Sequence, residues 1–115
     1  MDIDEIIKAA IEPLVPVCVI DVYGGEAEEF VVYTYTETPT DIGDDEPHAI
    51  RYTVTLHWIF PWRPGITASA EVKEKKRQIK RALVAAGLSY PTVSSAGDDQ
   101  WAELVFETEY IDGEV

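Results

Sequence analysis

Between His48 and Phe60 the chain alternates: Ile50, Tyr52, Val54, Leu56, Trp58 and Phe60 are large and apolar, while Arg51, Thr53, Thr55 and His57 between them are polar. A period of two places successive side chains on opposite faces of a strand, so this segment predicts a long strand with one apolar face. At about 3.3 Å per residue it spans roughly 40 Å, long enough to be the central strand against which others pair. Its second face, of Thr, Arg and His, suits solvent or a partner better than another buried layer. Upstream, Ile3, Ile6, Ile7, Ala10, Ile11 and Leu14 recur at helical spacing behind Asp2 and Glu5, which are placed as in a capping box. Residues 3 to 12 are therefore expected to be an amphipathic helix, ended by Pro13 and Pro16.

The β-branched and aromatic runs VCVIDVY (17–23) and FVVYTYT (30–36) predict two strands, and the intervening Gly24-Gly25 predicts that they form a hairpin. The second run is bulky on both sides, so part of the face bearing Val31, Tyr33 and Tyr35 is expected to meet another subunit. Residues 37–47, ETPTDIGDDEP, hold five acids, two prolines and a glycine, the composition of a flexible, exposed acidic loop. Beyond Phe60, the turn Pro61-Trp62-Arg63-Pro64-Gly65 breaks the alternation. A second helix is expected from an N-cap at Thr67 or Ser69 to Ala86, with Gly87 as left-handed C-cap and an apolar stripe of Val72, Ile79, Ala82, Leu83 and Ala86. Leu88–Ala96 reads as extended, Gly97-Asp98-Asp99 as a turn, and Trp101–Tyr110 as a last strand with Ala102, Leu104, Phe106 and Tyr110 inward. Residues 112–115 read as a frayed tail. The resulting fold class is α+β: a mostly antiparallel sheet of about four to five strands with two helices on one face, in the order α-β-β-β-α-β-β.

The 115 residues fit a single domain spanning 1–115, without repeat or linker. Cys18 is the sole cysteine, which excludes an intrachain disulfide and reads as a buried, inert thiol. The N-terminus carries acids where a secretory signal has bases, and no apolar run approaches the ~20 residues that cross a bilayer, so a cytoplasmic protein is expected. A net charge of -13 argues against gripping nucleic-acid phosphates or an anionic membrane. The bases are clustered, however: Lys73, Lys75, Lys76, Arg77, Lys80 and Arg81 are six of the nine. One basic helix on an acidic body suits self-association, and equally a solvated helix face; both readings stay open.

Candidate chemistry is sparse. His48 and His57, nine positions apart on one strand, lie about 30 Å apart and share no metal. The acids Asp41, Asp44, Asp45 and Glu46 lack the ligand spacing of a calcium loop, and no nucleophile, phosphate-loop or dinucleotide motif occurs. No enzyme activity and no cofactor are expected. Interaction residues remain: Trp62 and Arg63, of the types most often found as binding hot spots, although Trp62 equally reads as a plug for the end of the sheet. To these the sequence adds Lys73, Lys76, Arg77 and Lys80 on the basic helix, Tyr33 and Tyr35 on the second strand, and the loop acids Asp41, Asp44, Asp45 and Glu46.

The opening helix to Pro13, then FVVYTYTETP, IRYTVTLHWIF, EVKEKKRQIKRALVAAGLSY and WAELVFETEYI, resemble in pattern and order the small tail terminator and tail-completion proteins of long-tailed bacteriophages and prophages. The resemblance covers most of the chain. It implies an α/β sandwich that assembles into a ring, usually a hexamer, which caps the head-proximal end of the tail tube and joins it to the head connector. The implied partners are further copies of the chain, the tail tube protein and the head-completion or connector protein, in the host cytoplasm during assembly and in the virion tail afterwards. A neighbouring head-tail connector protein of similar size is a close variant of this expectation. An acidic DNA-mimic inhibitor of a nucleic-acid enzyme is the rival from another class, favoured by net charge and opposed by the basic cluster.

Overall fold

A computed structural model describes residues 2–43 and 46–113. Helix α1 (Ile3–Ile11) is followed by strands β1 (Cys18–Ile20), β2 (Phe30–Gly43) and β3 (Glu46–Pro61), a short 3-10 turn (Ile66–Ala68), helix α2 (Ala70–Ala85), and strands β4 (Thr92–Gly97) and β5 (Trp101–Asp112). The strands form one mixed, mostly antiparallel sheet in the order β1-β2-β3-β5-β4, with β3 central as its alternation predicts. Both helices cover one face.

The helix ends follow their capping chemistry. The Asp2 carboxylate accepts the Glu5 N–H at 2.8 Å, satisfying a donor that the first turn of α1 cannot pair. Ser69 caps α2 by accepting the Val72 N–H at 3.3 Å while its hydroxyl donates to the Ile66 carbonyl at 2.7 Å. At the other end, Gly87 adopts φ +97, and the Leu88 and Gly87 N–H groups return to the Leu83 and Val84 carbonyls, each at 3.0 Å, closing a Schellman motif. Leu88 is thereby directed into the core.

That core lies between helices and sheet. Ile3, Ile7 and Ile11 of α1 and Val72, Ile79 and Leu83 of α2 meet Val31 and Tyr33 of β2, Val54, Leu56, Trp58 and Phe60 of β3, and Ala102, Leu104 and Phe106 of β5. Thr108 is a buried polar side chain on this face; its hydroxyl donates to the Ser89 carbonyl, while the Ser89 N–H donates to the Glu109 carbonyl and the Ser89 hydroxyl accepts the Glu109 N–H. This ties the chain leaving α2 to β5.

Three expectations are corrected. First, β1 and β2 do not form a hairpin: they are parallel, with Cys18 beside Val31 and Ile20 beside Tyr33. Beyond Ile20, Asp21 takes φ +67, and the following residues run back along the sheet, with Tyr23 accepting the Ala27 N–H at 2.9 Å and its ring 4.6 Å from Phe30. Gly24-Gly25 thus serves a returning loop rather than a tight turn. Second, the segment 37–47 is not a loop over most of its length: β2 continues to Gly43 and β3 starts at Glu46, paired from Phe30–Ile59 to Gly43–Glu46. Pro39 is tolerated because, among the described residues, β2 has no strand on its outer side there, so the missing N–H interrupts no ladder. Asp44 and Asp45 lie outside the described residues. Third, Asp112 is no frayed tail but the last residue of β5, opposite Ile50; Glu114 and Val115 are outside the described residues. The paired arm makes the molecule 55 Å long and 27 by 23 Å across.

Candidate functional site

Helical geometry divides α2 into three stripes. Val72, Ile79 and Leu83 point at the sheet, while Ala82, Ala85 and Ala86 face Ile6, Ala9 and Ala10 of α1. The flank opposite α1 carries Lys73, Lys76, Arg77 and Lys80, which together line a shallow groove of about 250 Å³. Because α1 sits over β1 and β2, this basic flank overhangs the β4 side of the sheet. There the Lys80 ammonium lies 5.6 Å from the ring of Tyr90, just ahead of β4. Among the described residues, Glu74 is the acid bonded to the stripe, through Arg77 at 2.9 Å. The four basic residues singled out by sequence are thus brought together on one surface.

Lys75, second in the cluster of six, is turned away. It bonds both carboxylate oxygens of Glu29, at 3.2 and 3.1 Å, and stands 5.9 Å from the Trp58 ring, whose indole N–H donates to the same Glu29 at 2.9 Å. This cluster fastens α2 to the start of β2 and to β3. No spacing rule joins Glu29 to Trp58 and Lys75, which meet only through sheet pairing and helix packing.

On the other side of the helix layer the charge is reversed. Asp2 and Glu5, at the N-terminus of α1, and Glu37 on β2 are exposed there, and Asp4 lies between them. The two Asp4 oxygens accept the hydroxyls of Tyr33 at 2.7 Å and Tyr35 at 3.0 Å. Burial, with the bond to Asp4 and its charge added, raises the pKa of Tyr33 strongly and pushes Tyr35 up to about 12. Tyr52, beside them, is also raised, by burial first and then by Glu37. Tyr33 is therefore taken up by the core, and Tyr35 stands half-buried beside it. Their face is the core face, Tyr33 has 0% of its surface exposed, and the bulky second face of β2 is satisfied by the protein's own helices.

The uncovered face of the sheet carries Thr34, Thr36 and Thr38 of β2, Arg51, Thr53, Thr55 and His57 of β3, and Glu103, Glu107 and Glu109 of β5. His57 Nδ1 is 3.0 Å from Glu103, and Arg51 lies 3.9 Å from Glu109. At one end of this face Phe30 and Trp101 meet edge to face at 6.1 Å. Trp62 and Arg63 remain exposed nearby, Trp62 at 44%; Ile66, not Trp62, is the side chain of that connection that enters the core. Asp41 and Glu46 are described through their backbones, at the ends of β2 and β3.

Among the described residues no group of His, Cys, Asp and Glu is disposed to hold a metal ion, and no helix is long and apolar enough to cross a membrane. Cys18 is buried, and burial, with Glu12 nearby, pushes its thiol up to about 12, so it stays protonated and unreactive at neutral pH. What the arrangement provides is a pair of oppositely charged flanks and an open polar sheet. Comparison with protein-family models finds none that matches this sequence, and comparison with curated proteins finds no match either.

Proposed function

We propose that this chain is a structural assembly protein of a phage or prophage tail, forming a ring, hexameric in the resembling family, that ends the tail tube and joins it to the head connector. The observation that carries the reading is the separation of charge across the helix layer, basic on the β4 side and acidic over β2, which lets identical copies attract one another in succession. The pattern and order of elements that the chain shares with tail terminators support it, as does the acidic balance: a ring that passes DNA is served by surfaces that repel phosphates and let the duplex slide. Assembly would proceed in the host cytoplasm and leave the protein in the virion tail. A neighbouring head-tail connector would use the same surfaces. The DNA-mimic reading, supported by the net charge of -13, is weakened by four cations on one helix stripe, which a phosphate mimic has no use for.

Light scattering across protein concentration, at low and high salt, tests the reading. A ring-sized mass that falls as salt screens the flanks is expected, followed by a central channel in electron micrographs. A monomer under all conditions that also inhibits a panel of DNA-binding enzymes would replace the assembly reading by the mimic.

A further inference from the structure

The sheet has two open edges, and the helix layer gives them opposite charge. On its outer side β4 pairs with no strand among the described residues, and its sequence, TVSSAG, contains neither the lysine nor the proline that usually blunts such an edge. At the far side β1 covers only Val31–Tyr33, so from Thr34 to Thr38 the outer edge of β2 is also unpaired among the described residues, up to Pro39. The basic stripe overhangs the first edge; Asp2, Glu5 and Glu37 flank the second, against the single Lys8 on that side of α1.

We infer that the occupant of each edge is a second copy of this chain: β4 of one copy pairs with Thr34–Thr38 of the next, and Lys73, Lys76, Arg77 and Lys80 meet Asp2, Glu5 and Glu37 of that neighbour. Strand direction agrees. β2 and β5 run one way and β3 and β4 the other, so a copy set beside β4 with its helices on the same side presents β2 antiparallel to it. The register sets a stagger. β4 lies opposite Ala102–Glu107, whereas Thr34–Thr38 lie level with Glu107–Ile111, so pairing shifts the neighbour by four to five residues, roughly 15 Å. That shift carries the neighbour's acids from the Tyr35–Tyr52 end to the level of Trp58, where Lys75 anchors the first half of α2. Charge also decides the symmetry. A two-fold axis normal to the sheet would join β4 to β4 and set two basic flanks together, or β2 to β2 and two acidic ones. Head-to-tail pairing alone joins unlike flanks, and such contacts propagate from copy to copy, making a ring where the rotation between copies closes.

The inference rests on the ring reading and names its surfaces. Hydrogen exchange of the whole chain, at low and at high protein concentration, is the first test: amides of Thr92–Gly97 and Thr34–Thr38 should become protected together as the mass rises. Charge reversal is the second. Lys76→Glu with Lys80→Glu, and separately Glu5→Lys with Glu37→Lys, should each weaken self-association on the order of tenfold or more, with helix content by circular dichroism retained. An equimolar mixture of the two variants should recover it, because every contact then joins unlike charges. Association that protects neither edge would overturn these surfaces and leave the ring standing. Growth that stops at a dimer would overturn the head-to-tail symmetry. A monomer up to millimolar concentration would overturn these surfaces, and the ring with them if the protein also inhibits DNA-binding enzymes.

Discussion

The two faces of the sheet are built from the same strands, yet one is a core and the other a surface. On β3 the difference is a matter of parity: Leu56 has 0% of its surface exposed, while its neighbours Thr55 and His57 stand on the uncovered side. On β5, Leu104 and Phe106 face the helices and Glu103 and Glu107 face away. Fold stability is therefore concentrated on one side of a single layer, and the opposite side is free to be chosen for contact. Leu56→Ala should give the largest effect, about 3 kcal/mol of destabilisation within the usual range for deleting a buried leucine, whereas Thr55→Ala should change stability by no more than about 0.5 kcal/mol. Urea unfolding of both variants measures this; equal losses would erase the contrast.

A smaller effect probes how polar groups are admitted to the covered face. Asp4→Ala leaves the Tyr33 and Tyr35 hydroxyls without their acceptor and should cost about 2 kcal/mol. Burial, with this contact added, also makes stability depend on alkaline pH. Tyr35 is held at about 12 in the folded chain against 10 in its ordinary state, so its contribution is whole below pH 10 and is lost as pH rises through 12. Tyrosinate absorbance followed against pH should show this late ionisation in the wild type and an earlier one in Asp4→Ala. An unchanged titration would separate the tyrosines from Asp4.

Thr108→Val comes next, at about 1 to 2 kcal/mol, because it keeps the shape but leaves the Ser89 carbonyl without the hydroxyl donor that now meets it. Thermal unfolding of the variant gives the answer. A neutral result would mean that the chain between α2 and β4 is held by the two hydrogen bonds of Ser89 to the Glu109 backbone alone.

Much of the covered face is legible in sequence because it repeats. The alternation from Ile50 to Phe60, the isoleucines of α1 and the stripe of α2 each carry a period that identifies element and buried side together, and Ser69 and Gly87 mark the ends of α2 by local chemistry. What escaped has no local signature. The direction of β1 depends on where the chain goes after Ile20, and two glycines describe a hairpin turn and a returning loop equally well. The segment 37–43 has the composition of a loop, yet a strand at an open edge draws its order from backbone pairing with β3 and needs few buried side chains. Tyr33 and Tyr35 read as surplus bulk because their acceptor, Asp4, lies 29 and 31 residues away on another element. The basic stripe was legible as a helical spacing, but which sheet edge it overhangs follows only from where α1 packs.

The smallest effect tests the open face itself. Glu103→Gln removes the carboxylate 3.0 Å from His57, in a pair whose side chains are 24% and 32% exposed. Solvent screens such pairs, and their measured worth is typically about 0 to 1 kcal/mol, so the variant should unfold within about 0.5 kcal/mol of the wild type, with any difference shrinking as salt is added. A loss near 2 kcal/mol would mean that the uncovered face also holds the fold together, and the contrast between the two faces would fail. With stability unchanged, association becomes the informative readout. The head-to-tail contact uses the strand edges and the helix flanks, not this face, so Glu103→Gln should leave self-association as it is. A variant that folds normally and associates poorly would instead place the open sheet inside the contact between copies.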